Sequence, residues 1–370
     1  MLERIFNIIN SGRIKTWYER YENHISSLAL VFGFILDNLS LGRVDALADK
    51  LVLTMYLVLA GLCILLLTAC EEGLIKESVP GRLHFWFMFA MQFALGGLFS
   101  AFVVFYTRSA TFESSWPFLT LLFLYFLGNE IWKRYYSRLN VRLSVFFFAL
   151  LSYATIVIPT IFNSIERWVF VVSTLIATIV YIVFVLIIRI VSEKRYELLK
   201  WRVRMSALVV LGLLNLFYFL NIIPPLPLLL KDIGVYHDLK KKGDGGYFVE
   251  VEESSAWYDY FRSKKIFHRF AGEPIYVLTA VYSPVDLNTT VIHNWQKYNE
   301  ETSSWIDQSN VVVPIKGGRQ DGYRLYSLKQ SAVPGLWRVN VVTEDNRLIG
   351  RIKFELVNVE EKAKTSPLIK

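Results

Sequence analysis

The stretch MSALVVLGLLNLFYFLNIIPPLPLLLKDIG, Met205–Gly234, decides how the chain divides. From Met205 to Ile223 it carries no charge, and about 20 such residues are what a helix needs to cross hydrocarbon. Peptide groups find no partner in lipid, so a crossing segment must satisfy its own backbone as a helix. Pro224, Pro225 and Pro227 lack amide donors and stop that helix, and Lys231 with Asp232 returns the chain to water.

Upstream, the same reading recurs. Leu51 to Ala69, Phe85 to Tyr106, Leu143 to Phe162 and Trp168 to Ile188 are uncharged and long enough to span. Trp116 to Trp132 is shorter and reads as a further span, and Ile25 to Leu36, only twelve residues before Asp37, as the first. A hydrophobic share of 54% and a mean hydropathy of +0.38 fit a chain that faces lipid over much of its length. With about seven transmembrane helices, one side of the bilayer receives 15 Lys and Arg in its flanking segments, among them a loop from Lys194 to Arg204, and the other only four, Arg43, Lys50, Arg108 and Arg167. Positive charge stays inside, which places the N-terminus in the cytoplasm and everything after Lys231 outside it. Residues 1–24, with Leu2, Phe6 and Ile9 at helical spacing, read as an amphipathic cytoplasmic lead-in to a transmembrane domain over 25–230.

The formal charge of +8 is not evenly spread. From Lys231 onward 20 Lys and Arg face 18 Asp and Glu, so +6 lies in the membrane half, where topology explains it and nucleic acid is not implied. Cys63 and Cys70 both fall in or beside one apolar run, leaving the C-terminal region without a disulfide or a Cys metal site. Within the apolar runs, Gln92 and Asn215 read as amides joining helices, and Gly96, Gly97 and Ser100 as a packing surface.

Downstream, a linker over 231–245 with Lys240–Lys242 and Gly243 leads into a β-rich domain over 246–358, then a polar tail over 359–370. Trp337, Val339 and Val341 alternate with Arg338 and Asn340, and Ile352, Phe354 and Leu356 with Arg351, Lys353 and Glu355. That is an antiparallel hairpin with one buried face. Val311 to Ile315 and Tyr323 to Leu328, flanking Gly317, Gly318 and Asp321-Gly322, read as a second hairpin. Ile275 to Tyr282, Val291 to Tyr298 and Gly246 to Val251 add strands, while the aromatic segment Trp257 to Phe270 reads as a short helix or loop. The pattern predicts an antiparallel β-sandwich, immunoglobulin-like.

The motifs Trp295, Gly317-Gly318-Arg319, Gly322-Tyr323-Arg324, Gly335-Leu336-Trp337-Arg338-Val339 and Ile349-Gly350-Arg351, with Pro224-Pro225 through Tyr236-His237 before them, resemble the bacterial membrane proteins that end in a domain of unknown function numbered 2914. The resemblance covers the last quarter of the chain and implies a bacterial envelope setting, hence an inner-membrane protein with a periplasmic domain. It brings no activity with it.

Chemistry is thinly signalled. His237, His268 and His293 lack metal-ligand spacing, and no phosphate loop or nucleophile elbow is present, so no catalytic residue, metal or cofactor is expected. His293, Trp295, Arg319 and Tyr323 form a candidate binding face for an envelope protein or glycan partner, against the alternative that the tryptophans fill a core. These readings favour a non-enzymatic anchor, sensor or scaffold resting in the lipid bilayer over a membrane enzyme or transporter working on an envelope lipid or glycan.

Overall fold

The computed structural model describes residues 34–35, 37–39, 46–75, 82–109, 112–131, 136, 138–243, 246–253, 265–284, 287–317 and 321–370. Two compact units emerge. The first takes the chain up to Phe105, then Leu119–Ala154 and Thr174–Leu213; the second takes Tyr106–Phe118, Thr155–Ser173 and Leu214–Lys370.

Six helices precede the strands in the described chain: α1 Leu47–Glu71, α2 Arg82–Ser109, α3 Phe112–Ile131, α4 Leu139–Phe162, α5 Arg167–Val191 and α6 Glu193–Phe219. All but α3 are long and apolar enough, by length and composition, to cross a membrane, and the apolar part of α3 is shorter, Ser115–Asn129. The expected span at Ile25 to Leu36 lies almost wholly outside the described residues. Helix contacts follow the small-residue reading. A Cβ on Gly97 would stand 2.8 Å from the Tyr56 ring, and Asn129 Nδ2 donates to the Gln92 carbonyl at 2.8 Å, tying α3 to α2.

The charged stretch Lys194 to Arg204, expected as a loop, is instead the first half of α6, which only Ser192 separates from α5. Phe170 and Tyr218 stack at 3.5 Å, whereas a straight helix would hold them roughly 70 Å apart, so the chain reverses at Ser192. Glu197 pairs with Lys200 one turn on and with Arg189 across the reversal, which supports helix where charge alone suggested a loop. At its other end α6 stops at Phe219, short of the prolines. Asn221 takes φ 57° and the Ile222 amide closes back onto the Phe217 carbonyl at 2.9 Å, a left-handed cap.

Eleven strands follow among the described residues: β1 Leu229–Tyr236, β2 Leu239–Lys241, β3 Tyr247–Glu252, β4 Lys265–Phe270, β5 Ile275–Tyr282, β6 Asn288–Asn299, β7 Ser304–Lys316, β8 Tyr323–Lys329, β9 Gly335–Thr343, β10 Leu348–Val359 and β11 Thr365–Ile369. They make sheets of order β1-β5-β8, β4-β10-β9-β6-β7 and β11-β3-β2. Ile275 and Val277 of the first bury in one cluster with Trp295, Trp337, Val339, Ile352, Phe354 and Leu356 of the second. The third sheet packs Tyr247 and Val249 on Tyr236 and Leu278.

The last hairpin stands as read, with Phe354 opposite Trp337 and Ile352 opposite Val339. Elsewhere the strands correct the sequence. The supposed linker holds β1 and β2, because Ile233 and Val235 alternate into the core. The supposed polar tail holds β11, a strand kept by backbone pairing to β3 with little burial. Part of the aromatic segment is β4, and β4 runs parallel to β10, a departure from the all-antiparallel expectation; residues 254–264 lie outside the description. The proposed hairpin of β7 with β8 does not form, since β7 pairs with β6 and β8 with β5. Gly317 instead carries the chain between sheets in a close backbone approach, where any Cβ would meet the Pro284 carbonyl oxygen at 1.5 Å.

Candidate functional site

Alternation along β6, β9 and β10 sends one set of side chains into the core and the other to the outer face of the five-stranded sheet. Of the four predicted binding residues, His293 and Trp295 go inward and are fully buried, Tyr323 is half-buried against the cluster of Val281 and Leu325, and Arg319 lies outside the described residues. The expected face therefore does not assemble at the surface. His293 and Trp295 do share a face, but it is the core face. There Thr279 Oγ1 lies 2.9 Å from His293 Nε2 and Ser327 Oγ 2.8 Å from Nδ1, while the Trp295 indole donates to Ser327 Oγ at 3.0 Å. Burial without a counter-charge pushes His293 down to about 4, so it stays a neutral hydrogen-bonding group.

The outer face carries what that reading missed. Asn294 Nδ2 donates to Asp307 Oδ1 at 2.8 Å and Asn310 Oδ1 at 2.7 Å, and Gln296 Nε2 to Asp307 Oδ1 at 2.6 Å. Asn340 Nδ2 donates to Gln296 Oε1 at 3.0 Å, and the Arg351 Nε–H to Asn340 Oδ1 at 2.6 Å. Arg338 donates to Gln296 Oε1 and lays its guanidinium 4.2 Å over the Trp305 ring, which meets Tyr298 edge-on at 5.2 Å. The amide donors from Gln296 and Asn294 hold the Asp307 carboxyl below its ordinary value. The result is an array of amides, a carboxylate and two guanidinium groups, ending in an aromatic pair that Tyr298 of β6 forms with Trp305 of the edge strand β7. Amide and arginine residues recurring at outward positions of three strands were the available signal.

Two further polar groupings lie in the second unit. Glu252 accepts from the His268 amide at 2.6 Å and faces His237 Nε2 at 2.9 Å and His268 Nδ1 at 3.1 Å, while His237 Nδ1 faces Glu273 at 3.3 Å. Burial works against charge on His237, but the Glu252 and Glu273 carboxylates outweigh it and hold the imidazole above its ordinary value. With a carboxylate on each ring nitrogen, His237 clasps Glu252 and Glu273 together, and no metal-type cluster is found among the described residues. A cavity of about 480 Å³ opens elsewhere, among Lys231, Asp232, Asp321, Arg324 and Lys370.

Residues 288–356, which run from β6 into β10 and so contain the outward array, match the family described as Protein of unknown function (DUF2914). That bears out, for this part of the chain, the resemblance drawn from its motifs. No curated protein matches. Among solved structures, a β-glucosidase from Listeria innocua in complex with isofagomine is similar over 35% of this chain and 16% of its own, at 12% identity and a TM-score of 0.19. An alkylpurine DNA glycosylase from Pseudomonas fluorescens bound to DNA is similar over 85% of this chain and all of its own, at 9% identity and a TM-score of 0.23. This chain thus spans about a sixth of the first, and likenesses at such scores carry no argument about fold or function.

Proposed function

We propose that this is a multi-pass protein of the bacterial inner membrane whose periplasmic β-rich region, an immunoglobulin-like sandwich with a third small sheet added, binds an envelope glycan or a protein displaying one. In this reading it is a non-enzymatic anchor, sensor or scaffold. The observation that carries the binding role is the outward array of Asn294, Gln296, Asp307, Arg338, Asn340 and Arg351 beside Trp305. Vicinal hydroxyls suit paired donors and acceptors held in one plane, and an apolar sugar face suits an aromatic ring at the end of them. The unequal Lys and Arg count supports a cytoplasmic N-terminus and seven crossings.

Purified full chain should bind cell-wall polysaccharide saturably, and Gln296→Ala should weaken that binding about tenfold, the worth of one well-placed hydrogen bond. Binding to no envelope glycan, with photo-crosslinks from position 310 that reach only lipid, would remove the reading. Alkaline phosphatase fused after Lys370 should be active; an inactive fusion beside an active cytoplasmic reporter would reverse the topology.

A second reading, a membrane enzyme or transporter acting on an envelope lipid or glycan, draws on one feature of the helices. Glu71 bridges Arg142, at 2.5 Å, and Arg195, and Ser192 donates to Glu72 at 2.5 Å, so a charged cluster with a fully buried Arg142 sits where α1, α4 and α6 meet. Buried pairs of this kind also fix helix register. Flux of a labelled envelope lipid that Glu71→Gln abolishes in a folded protein would favour this second reading.

A further inference from the structure

The 480 Å³ cavity belongs to neither the sheet array nor the histidine clasp, and its charges are unequally used. Lys370 Nζ pairs with Asp232 at 2.8 Å, which cancels both. Lys231 stands at the β-bulge between Leu230 and Asp232, a break in register that re-aims its side chain, and its ammonium lies 5.5 Å over the Tyr282 ring. Arg324 is half-buried, and Asp321 is exposed. Neither has a hydrogen-bond or ion-pair partner among the described residues, although both line the cavity. Gly322, at φ 87° and pressed against the backbone of Ala280 and Val281, fixes these two residues on either side of one tight turn. Ala280, opposite Arg324 in the β5–β8 register, is small enough to leave room above it.

Leu228 and Leu230, just before Lys231, pack with Val281 and with Ile165 from the α4–α5 connection, and the Leu228 carbonyl accepts from Ser109 at the end of α2. A half-buried guanidinium with no counter-ion among the described residues is an arrangement that an anion relieves, and its fork matches phosphate oxygens. A carboxylate beside it, also unpaired, suits a ligand that carries a cation a few atoms from its anion.

We propose that this cavity binds a zwitterionic phosphoester of the phosphoethanolamine type, the phosphate on Arg324 and Lys231 and the ammonium on Asp321. The chemistry is shared by the headgroup of a membrane lipid and by free glycerophosphoethanolamine. Only the choice between those sources depends on the membrane reading, and none of it depends on the glycan reading.

Full-length protein in choline-lipid nanodiscs is titrated with glycerophosphoethanolamine and with glycerol 3-phosphate; in parallel, nanodiscs of mixed ethanolamine and choline lipids are analysed by native mass spectrometry for retained lipid. Saturable binding of the free compound points to the soluble source, and selective retention of ethanolamine lipid without it points to the headgroup. Arg324→Gln should weaken either by about tenfold or more. Asp321→Asn should leave glycerol 3-phosphate binding in place and erase the preference for the amine. Both substituted side chains make no partner, so protection of β5 and β8 amides from hydrogen exchange should match the parent and separates lost binding from lost folding. Absence of binding in both arms, or binding that Arg324→Gln leaves intact, overturns the proposal.

Discussion

On the inner face of the five-stranded sheet Trp295 and Trp337 meet edge to face at 6.4 Å with both rings sealed from water, whereas at the outer edge Trp305 is half-buried under the Arg338 guanidinium. Strands β6 and β9 supply both faces, one residue apart. Inside, even the polar groups are closed on each other, His293 with Thr279 and Ser327. Outside, Asn294, Gln296, Asp307, Arg338, Asn340 and Arg351 are joined side chain to side chain in one network across β6, β7, β9 and β10. The contrast separates residues that fill the core from residues that tie the outer face together, although both sets alternate with equal regularity in the sequence.

The largest effect should come from Trp337→Ala. Its side chain is 1% exposed and packs with Trp295, Phe354 and Val339, so truncation should cost about 3 to 5 kcal/mol, a large part of the stability of an ordinary domain. Hydrogen exchange on the full chain should show β9 and β10 amides losing protection while α4 and α5 keep theirs. Protection equal to the parent would move Trp337 out of the core and collapse the distinction between the faces.

Next in size is an acid effect from the inner polar group. His293 falls from an ordinary 6.5 to about 4 on folding, so the unfolded chain binds the proton more readily. The stability this confers is complete above 6.5 and is lost as pH falls toward 4, amounting to about 3 kcal/mol across that window. His237, held above its ordinary value by Glu252 and Glu273, works in the opposite sense: its contribution is complete below 6.5 and is lost as pH rises through its raised value. Urea titrations from pH 7 to 4 should show the acid slope in the parent and a much flatter line in His293→Gln. An unchanged slope in that variant would assign acid sensitivity to other groups.

How much of this was legible depends on what each signal measures. Apolar length finds α1, α2, α4 and α5 because lipid demands it, but it cannot show that Lys194 to Arg204 is helical, since a helix satisfies its backbone whether or not its surface is charged. Period-two alternation finds β5, β6, β9 and β10, where one face is buried. It misses the first half of β7, where Ser304, Asp307, Gln308 and Asn310 are all exposed on an edge strand, and it misses β11, which backbone pairing holds. The candidate site suffered from the same limit. Alternation places His293 and Trp295 on one face without saying which, and the burial that decides it comes from β5 and β8, strands of another sheet.

Asn340→Ala should have a middling effect. Although it lies on the outer face, Asn340 is 7% exposed because Gln296, Asn294 and Arg351 close around its amide. Removing it leaves those groups short of one partner each but near water, so the expected cost is about 1 to 2 kcal/mol. A cost matching that of Trp337→Ala would show that the outer network is a second core.

Trp305→Ala should be the mildest for folding and the sharpest for the comparison. Trp305 sits on β7, the edge of the sheet among the described residues, opposite Tyr298 and beneath Arg338. Truncation leaves Arg338 its hydrogen bond to Gln296, and the lost area lies at a surface that water already reaches, so stability should stay within about 1 kcal/mol of the parent. Glycan binding should nevertheless fall by about tenfold, because the ring supplies the apolar platform that the amides cannot. Paired with Trp337→Ala, the measurement sets one tryptophan against another on two faces of one sheet. A variant that melts early without a binding defect would return Trp305 to a structural role and leave the outward array without its recognition residue.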